Sequence, residues 1–276
     1  MSHFSDIGFF LSNEDELYAL AEQVYAQCKA FPCEKGTYYQ YADPSGAELW
    51  LQINEERELI GVNPHFSGES RFRVGVNSEV DRDSSKLDAA LQCWMSPQDS
   101  QHLESGHYPI VVDLPNHYAH TFEGYPTLGY LQITAFAEEM QVFENEEAYY
   151  QSQADDAFRM SAQSFIPAGL FGGEGNHDFV PSAIASFTGK VIHAETRLNT
   201  ISQKAFHYLQ VKTFGGTYDV VADTQQWPSL PPVDGIVSGQ FWLSARQTSS
   251  PAPEEAPAFR KRRFKKVFTR LFNKLS

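Results

Sequence analysis

The sequence predicts an α+β chain, mostly antiparallel β with two or three helices, ending in an extended linker and a basic amphipathic C-terminal helix. Three observations predict it. Short runs of period-two alternation recur between turns built from Gly, Pro and Asp, the pattern of hairpins. Two stretches, 13–30 and 145–158, begin with acidic residues that suit the positive end of a helix dipole. The last 18 residues, 259–276, carry the opposite charge to everything before them.

The clearest strands lie in residues 183–246. Leu209, Val211 and Thr213 alternate with Tyr208, Gln210 and Lys212, and after Phe214-Gly215-Gly216 the pattern resumes in Tyr218, Val220 and Ala222. Gly accepts the positive φ of a tight turn, so 206–223 predicts a hairpin. A strand within 184–197 precedes it, and Ile236–Leu243 follows. Pro228, Pro231 and Pro232 keep the chain between from being strand. Four consecutive strands predict that the C-terminal half forms a small antiparallel sheet of its own or an OB-like barrel. That similarity is one of fold alone and carries no function.

The first helix is predicted over 13–30, capped by Ser12 or Asn13, with Leu17, Leu20, Ala21, Val24, Tyr25 and Cys28 on one apolar face and Pro32 ending it. Thr37–Tyr41 and Glu48–Ile53 flank Asp43-Pro44-Ser45-Gly46, a type I turn sequence. Leu59–Val62, Phe72–Val76 and Tyr108–Val112 predict further strands, whereas 77–107 is polar and irregular apart from a short apolar piece, Leu87–Met95. Thr127–Phe143 is a long segment that, as strand, places Gln132, Thr134 and Phe136 on one face. The domains expected are 1–163, an α+β unit; 164–182, a Gly/Pro-rich loop; 183–246, an antiparallel β unit or a continuation of the first; 247–258, a Pro/Ala/Ser linker; and 259–276, the basic helix.

Composition suits a globular chain, with 42% hydrophobic and 14% aromatic residues. No run of 18 apolar residues suggests a spanning helix, and the N-terminus lacks a basic region ahead of an apolar one. Cys28, Cys33 and Cys93 have neither redox nor zinc-site spacing. The expected compartment is the cytoplasm, with thiols reduced and the tail able to hold the chain at the inner face of a membrane.

The net charge of −14 hides an asymmetry: eight basic residues lie in 260–274, leaving 13 basic and 35 acidic side chains in 1–258, a net of −22. Such a body repels phosphate backbones, so it is expected to bind no nucleic acid. The tail is the sharpest functional signal. Phe264, Val267, Phe268, Leu271, Phe272 and Leu275 share one helical face, while Arg260, Lys261, Arg262, Arg263, Lys265, Lys266, Arg270 and Lys274 supply the charge. This pattern fits binding to an anionic membrane surface or an acidic protein. The function expected is a non-enzymatic cytosolic binding or adaptor protein with no cofactor.

The alternative is a metal-assisted hydrolase built on the histidine-rich stretch 102–120. There Asp113, His117 and His120 could hold a divalent metal and leave a position open for water, with His102, Glu104 and His107 upstream. Pro115 breaks the stretch, so these residues do not project from one helix as in HExxH. The glycine-rich FGGEGNH at 171–177 lacks phosphate-loop spacing, and GxSxG is absent. Asp219 and Asp223 are expected about 13 Å apart along one strand, as polar edge decoration. Phe241 and Trp242 are expected in the core.

Overall fold

The computed structural model describes residues 3–82, 87, 89–119, 122, 124–154, 159–172 and 179–249. Strands dominate it. A four-stranded antiparallel sheet consists of β1 (Lys29–Cys33), β2 (Gly36–Ala42), β3 (Ala47–Asn54) and β4 (Leu59–Phe66) in chain order. The remaining strands are β5 (Phe72–Glu79), β6 (Ala89–Met95), β7 (Pro109–Leu114), β8 (Thr127–Phe143), β9 (Ser164–Ile166), β10 (Ile184–Leu198), β11 (Ala205–Thr213), β12 (Gly216–Asp223) and β13 (Ile236–Gln247). They form one nine-stranded mixed sheet, ordered β11-β12-β8-β5-β6-β7-β13-β10-β9. Two α-helices, α1 (Glu14–Tyr25) and α2 (Glu146–Ser152), and three 3-10 turns complete the described chain.

This corrects the predicted fold class. The molecule is mostly β rather than α+β, and the C-terminal strands do not form a sheet or OB-like barrel of their own. They are built into the sheet that holds β5 to β8. The reason is β8, whose 17 residues give its two edges more length than one neighbour fills. One edge pairs with β13 from Leu131 to Phe143. The other pairs first with β5, through Thr127–Leu131, and then in parallel with β12, through Thr134–Phe136. On its far edge β13 pairs with β10, and then at Ser244 with Asp113 of β7. The pairings close two rings that share β8 and β13: one runs through β10, β11 and β12, the other through β5, β6 and β7. The two parallel contacts join residues more than eighty positions apart, which alternation within either segment does not encode.

Burial follows from the closure. Leu131, Ile133, Leu209, Val211, Tyr218, Val220, Phe241 and Leu243 fill the inner faces with Val74, Val76, Leu91 and Ile110. The opposite faces of β8, β11 and β12 are also covered, because Phe136, Phe206, Tyr208 and Val221 pack on Tyr41, Leu49, Leu51 and Phe66 of the small sheet and on Leu20, Ala21 and Val24 of α1. The predicted hairpin is present, with Thr213 opposite Gly216.

Two helices are shorter than predicted. α1 stops at Tyr25 because Lys29–Cys33 turn back as strand β1 against β2; Pro32, at the sheet edge, needs no ladder donor there. α2 ends at Ser152. The short apolar piece Leu87–Met95, left without a predicted element, contains strand β6 between β5 and β7. The basic segment 259–276 and the linker beyond residue 249 lie outside the described residues.

Candidate functional site

The sequence singled out Asp113, His117 and His120. Asp113 stands near the end of β7 and faces the gap between the two sheets. Its Oδ1 accepts from Arg82 Nη1 at 2.7 Å and its Oδ2 from Trp242 Nε1 at 2.7 Å. Arg82 also donates to the Pro181 carbonyl at 3.2 Å. With Asn63, Ala89, Leu114, Pro115 and Ser244, these residues line a pocket of about 100 Å³. Both carboxylate oxygens of Asp113 thus already have donors, and a cation there would have to displace them.

His117 lies in the 3-10 turn after β7 and is buried. Its Nε2 meets Glu79 Oε1 of β5 at 2.8 Å, and the same oxygen accepts from Tyr125 Oη at 3.0 Å. A carboxylate can only accept here, so Nε2 carries a proton. The Nδ1 of His117 is buried with no hydrogen-bond partner among the described residues. Burial, followed by Glu79, holds the Tyr125 hydroxyl well above its ordinary range. His120 lies outside the described residues. Among the described residues no three His, Cys, Asp or Glu side chains gather as a metal site. His102 pairs with Asp99 on the exposed surface instead.

A larger polar constellation lies behind the pocket, between β4 and the big sheet. His65 is fully buried; its Nδ1 is 2.8 Å from Ser244 Oγ and its Nε2 is 2.8 Å from Gln132 Oε1. The amide of Gln132 is fixed because its Nε2 donates to Asp219 Oδ2 at 3.0 Å and to Thr134 Oγ1 at 2.8 Å. Its Oε1 must then accept, so His65 Nε2 is the protonated nitrogen and Nδ1 accepts from the Ser244 hydroxyl. Asp219 anchors the chain, accepting from the Glu69 and Ser70 amides at 3.0 and 2.8 Å and from Tyr208 Oη at 2.9 Å. It is wholly buried, not the edge decoration the sequence suggested. Beside it Arg246 donates to Glu48 Oε1 and to Ser67 Oγ, both at 2.9 Å.

Ser244, His65, Gln132 and Asp219 form a relay resembling a nucleophile, a base and their orienting groups. Its electrostatics oppose that use. Burial, and then the Arg246 charge, push His65 down to about 3, so it does not hold the proton a general base must accept near neutral pH. Burial pushes the Cys28 thiol up to about 11, which leaves little thiolate. The relay instead satisfies polar groups that the packing of two sheets removes from water.

Comparison with family models, curated proteins and solved structures finds no match. No helix among the described residues is long and apolar enough to cross a membrane.

Sequence reasoning missed Arg82, His65 and Ser244. Gln132 carried a usable signal: it sits on the Phe136 face of a long apolar segment, where a polar side chain is buried only if it has partners.

Proposed function

We propose that this chain is a non-enzymatic binding protein whose acidic β-rich body is held at an anionic membrane surface by its basic segment, residues 259–276. The observation that carries this reading is the segment itself: eight basic residues, no acidic one, and Phe and Leu recurring at helical spacing. Each Lys or Arg near an anionic bilayer contributes about 1 kcal/mol, and the apolar face adds to it. The body opposes such contact through its net −22, but the eleven residues 248–258 separate the two. A chain of that length spans up to about 40 Å, several Debye lengths of about 8 Å at physiological salt. The non-enzymatic reading rests on the weak basicity of His65 beside Ser244 and on the engaged carboxylate of Asp113.

Co-sedimentation with phosphatidylserine-containing vesicles tests it. The full chain is expected to pellet at low salt and less at high salt, and deletion of 259–276 is expected to abolish pelleting. Pelleting that survives the deletion, or none by the full chain, refutes membrane attachment through this segment. Capture of an acidic protein by the same segment, without vesicle binding, assigns the tail to a protein partner instead.

A further inference from the structure

A second surface, independent of the tail, lies where the large sheet divides. β5 and β12 occupy successive stretches of the same edge of β8, at Thr127–Leu131 and Thr134–Phe136. The start of β12, at Gly216, lies close against Phe72 at the start of β5. A cleft of about 450 Å³ opens beside this contact, lined by Glu69, Arg71, Arg73, Ser96, Gln210 and Thr217, with Phe72 and Ile192 as apolar wall.

We propose that this cleft binds a phosphomonoester through Arg71 and Arg73. Phe72, Val74 and Val76 turn into the core, so Arg73 in β5 and Arg71 just before it lie off that face, about 7 Å apart along extended chain. Each guanidinium is already oriented by carbonyl groups. Arg71 Nη1 donates to Gly68 O at 3.1 Å and Ser70 O at 2.6 Å, and Arg73 Nη1 donates to Pro97 O at 2.5 Å. Among the described residues neither makes a salt bridge, and each keeps Nε and Nη2 without a partner. Arg82, Arg197 and Arg246, by contrast, spend their charge on carboxylates of this chain. Two oriented forks lining the same cleft suit a dianion with several acceptor oxygens, which a phosphomonoester supplies. The Ser96 and Thr217 hydroxyls add neutral donors, and the exposed Ile192 side chain offers apolar surface to the ester group. Glu69 opposes the ligand, leaving the lining with two cationic side chains against one anionic.

The same chemistry could come from a soluble phosphomonoester or from a lipid headgroup. The test is calorimetric titration of the full-length protein with phenyl phosphate and, separately, with phosphatidylcholine vesicles with and without phosphatidic acid. The Arg71→Gln/Arg73→Gln double variant is expected to bind about tenfold or more weakly. Glu69→Gln is expected to tighten binding about two- to threefold, by removing the opposing charge. Comparing variants with the basic tail intact cancels its contribution. A loss confined to phenyl phosphate identifies a soluble ligand, and one confined to phosphatidic acid identifies a headgroup; either supports the cleft. Affinities unchanged in both arms, or unmoved by Glu69→Gln, overturn it. Should the double variant fail to fold, Glu69→Gln and Arg71→Gln alone give the same decision.

Discussion

Two buried titratable residues pull stability in opposite directions with pH. His65 is lowered to about 3 by burial and by Arg246. As pH falls below about 6.5 the unfolded chain takes up a proton that the folded chain refuses, so stability is lost down to about 3, by at most about 5 kcal/mol. Asp6 is raised to about 6, chiefly by burial, against the stabilising pull of His3 and the Asp223 amide. Here the folded chain takes the proton first, so stability is gained as pH falls from about 6 to 3.8, by up to about 3 kcal/mol. Between pH 4 and 6 the two nearly offset. Asp6→Asn keeps an acceptor for the Asp223 amide and removes the gain. Relative to the parent, its stability is expected to fall by about 1.4 kcal/mol per pH unit over that window. Urea midpoints from pH 4 to 6.5 check this; parallel profiles would sink it. Asp219→Ala is expected to cost about 3 kcal/mol or more, because two amides, the Gln132 amide and the Tyr208 hydroxyl all lose their acceptor.

At the scale of single elements, local chemistry explains the boundaries. The Asn13 side chain accepts from the Glu16 amide at 2.9 Å, and Glu16 reaches back to the Ser12 amide at 2.8 Å. Asn13→Ala should therefore lower stability by about 1 kcal/mol, read from the thermal midpoint. The β11–β12 turn depends on Gly215, whose φ is +84° and whose added Cβ would lie 2.6 Å from the Tyr108 ring. The Tyr108 hydroxyl in turn donates to the Phe214 carbonyl at 3.0 Å, tying the turn to β7. This turn was legible in the sequence because its cause is local. Strand β1 was not: its residues pass for the end of a helix until Gly36 turns them back onto β2.

For the whole molecule, sharing β8 and β13 between two rings sets cooperativity. Residues 1–163 alone would leave both edges of β8 unpaired over most of its length, and residues 183–246 alone would leave β12 and β13 without β8. Neither fragment is expected to give a cooperative thermal melt; one that does so for either would show that the strands fold without the shared pair. The acidic body and basic tail divide the molecule electrostatically along the chain, with the reversal after Glu255.

The sequence by itself determined what depends on near neighbours: the 206–223 hairpin, the capped start of α1, the strand at 127–143 with Gln132, Thr134 and Phe136 on one face, and the charge reversal after Glu255. It did not determine which strands meet. Alternation reports which face of a strand is buried but not what buries it, and β8 is buried on both faces and paired along both edges. Only tertiary structure turned Gln132, His65, Ser244 and Asp219 into one network, because they come from four strands whose adjacency is fixed by the packing of two sheets. The same packing gave Asp113 to Arg82 and Trp242, and left Arg71 and Arg73 together at the mouth of a cleft.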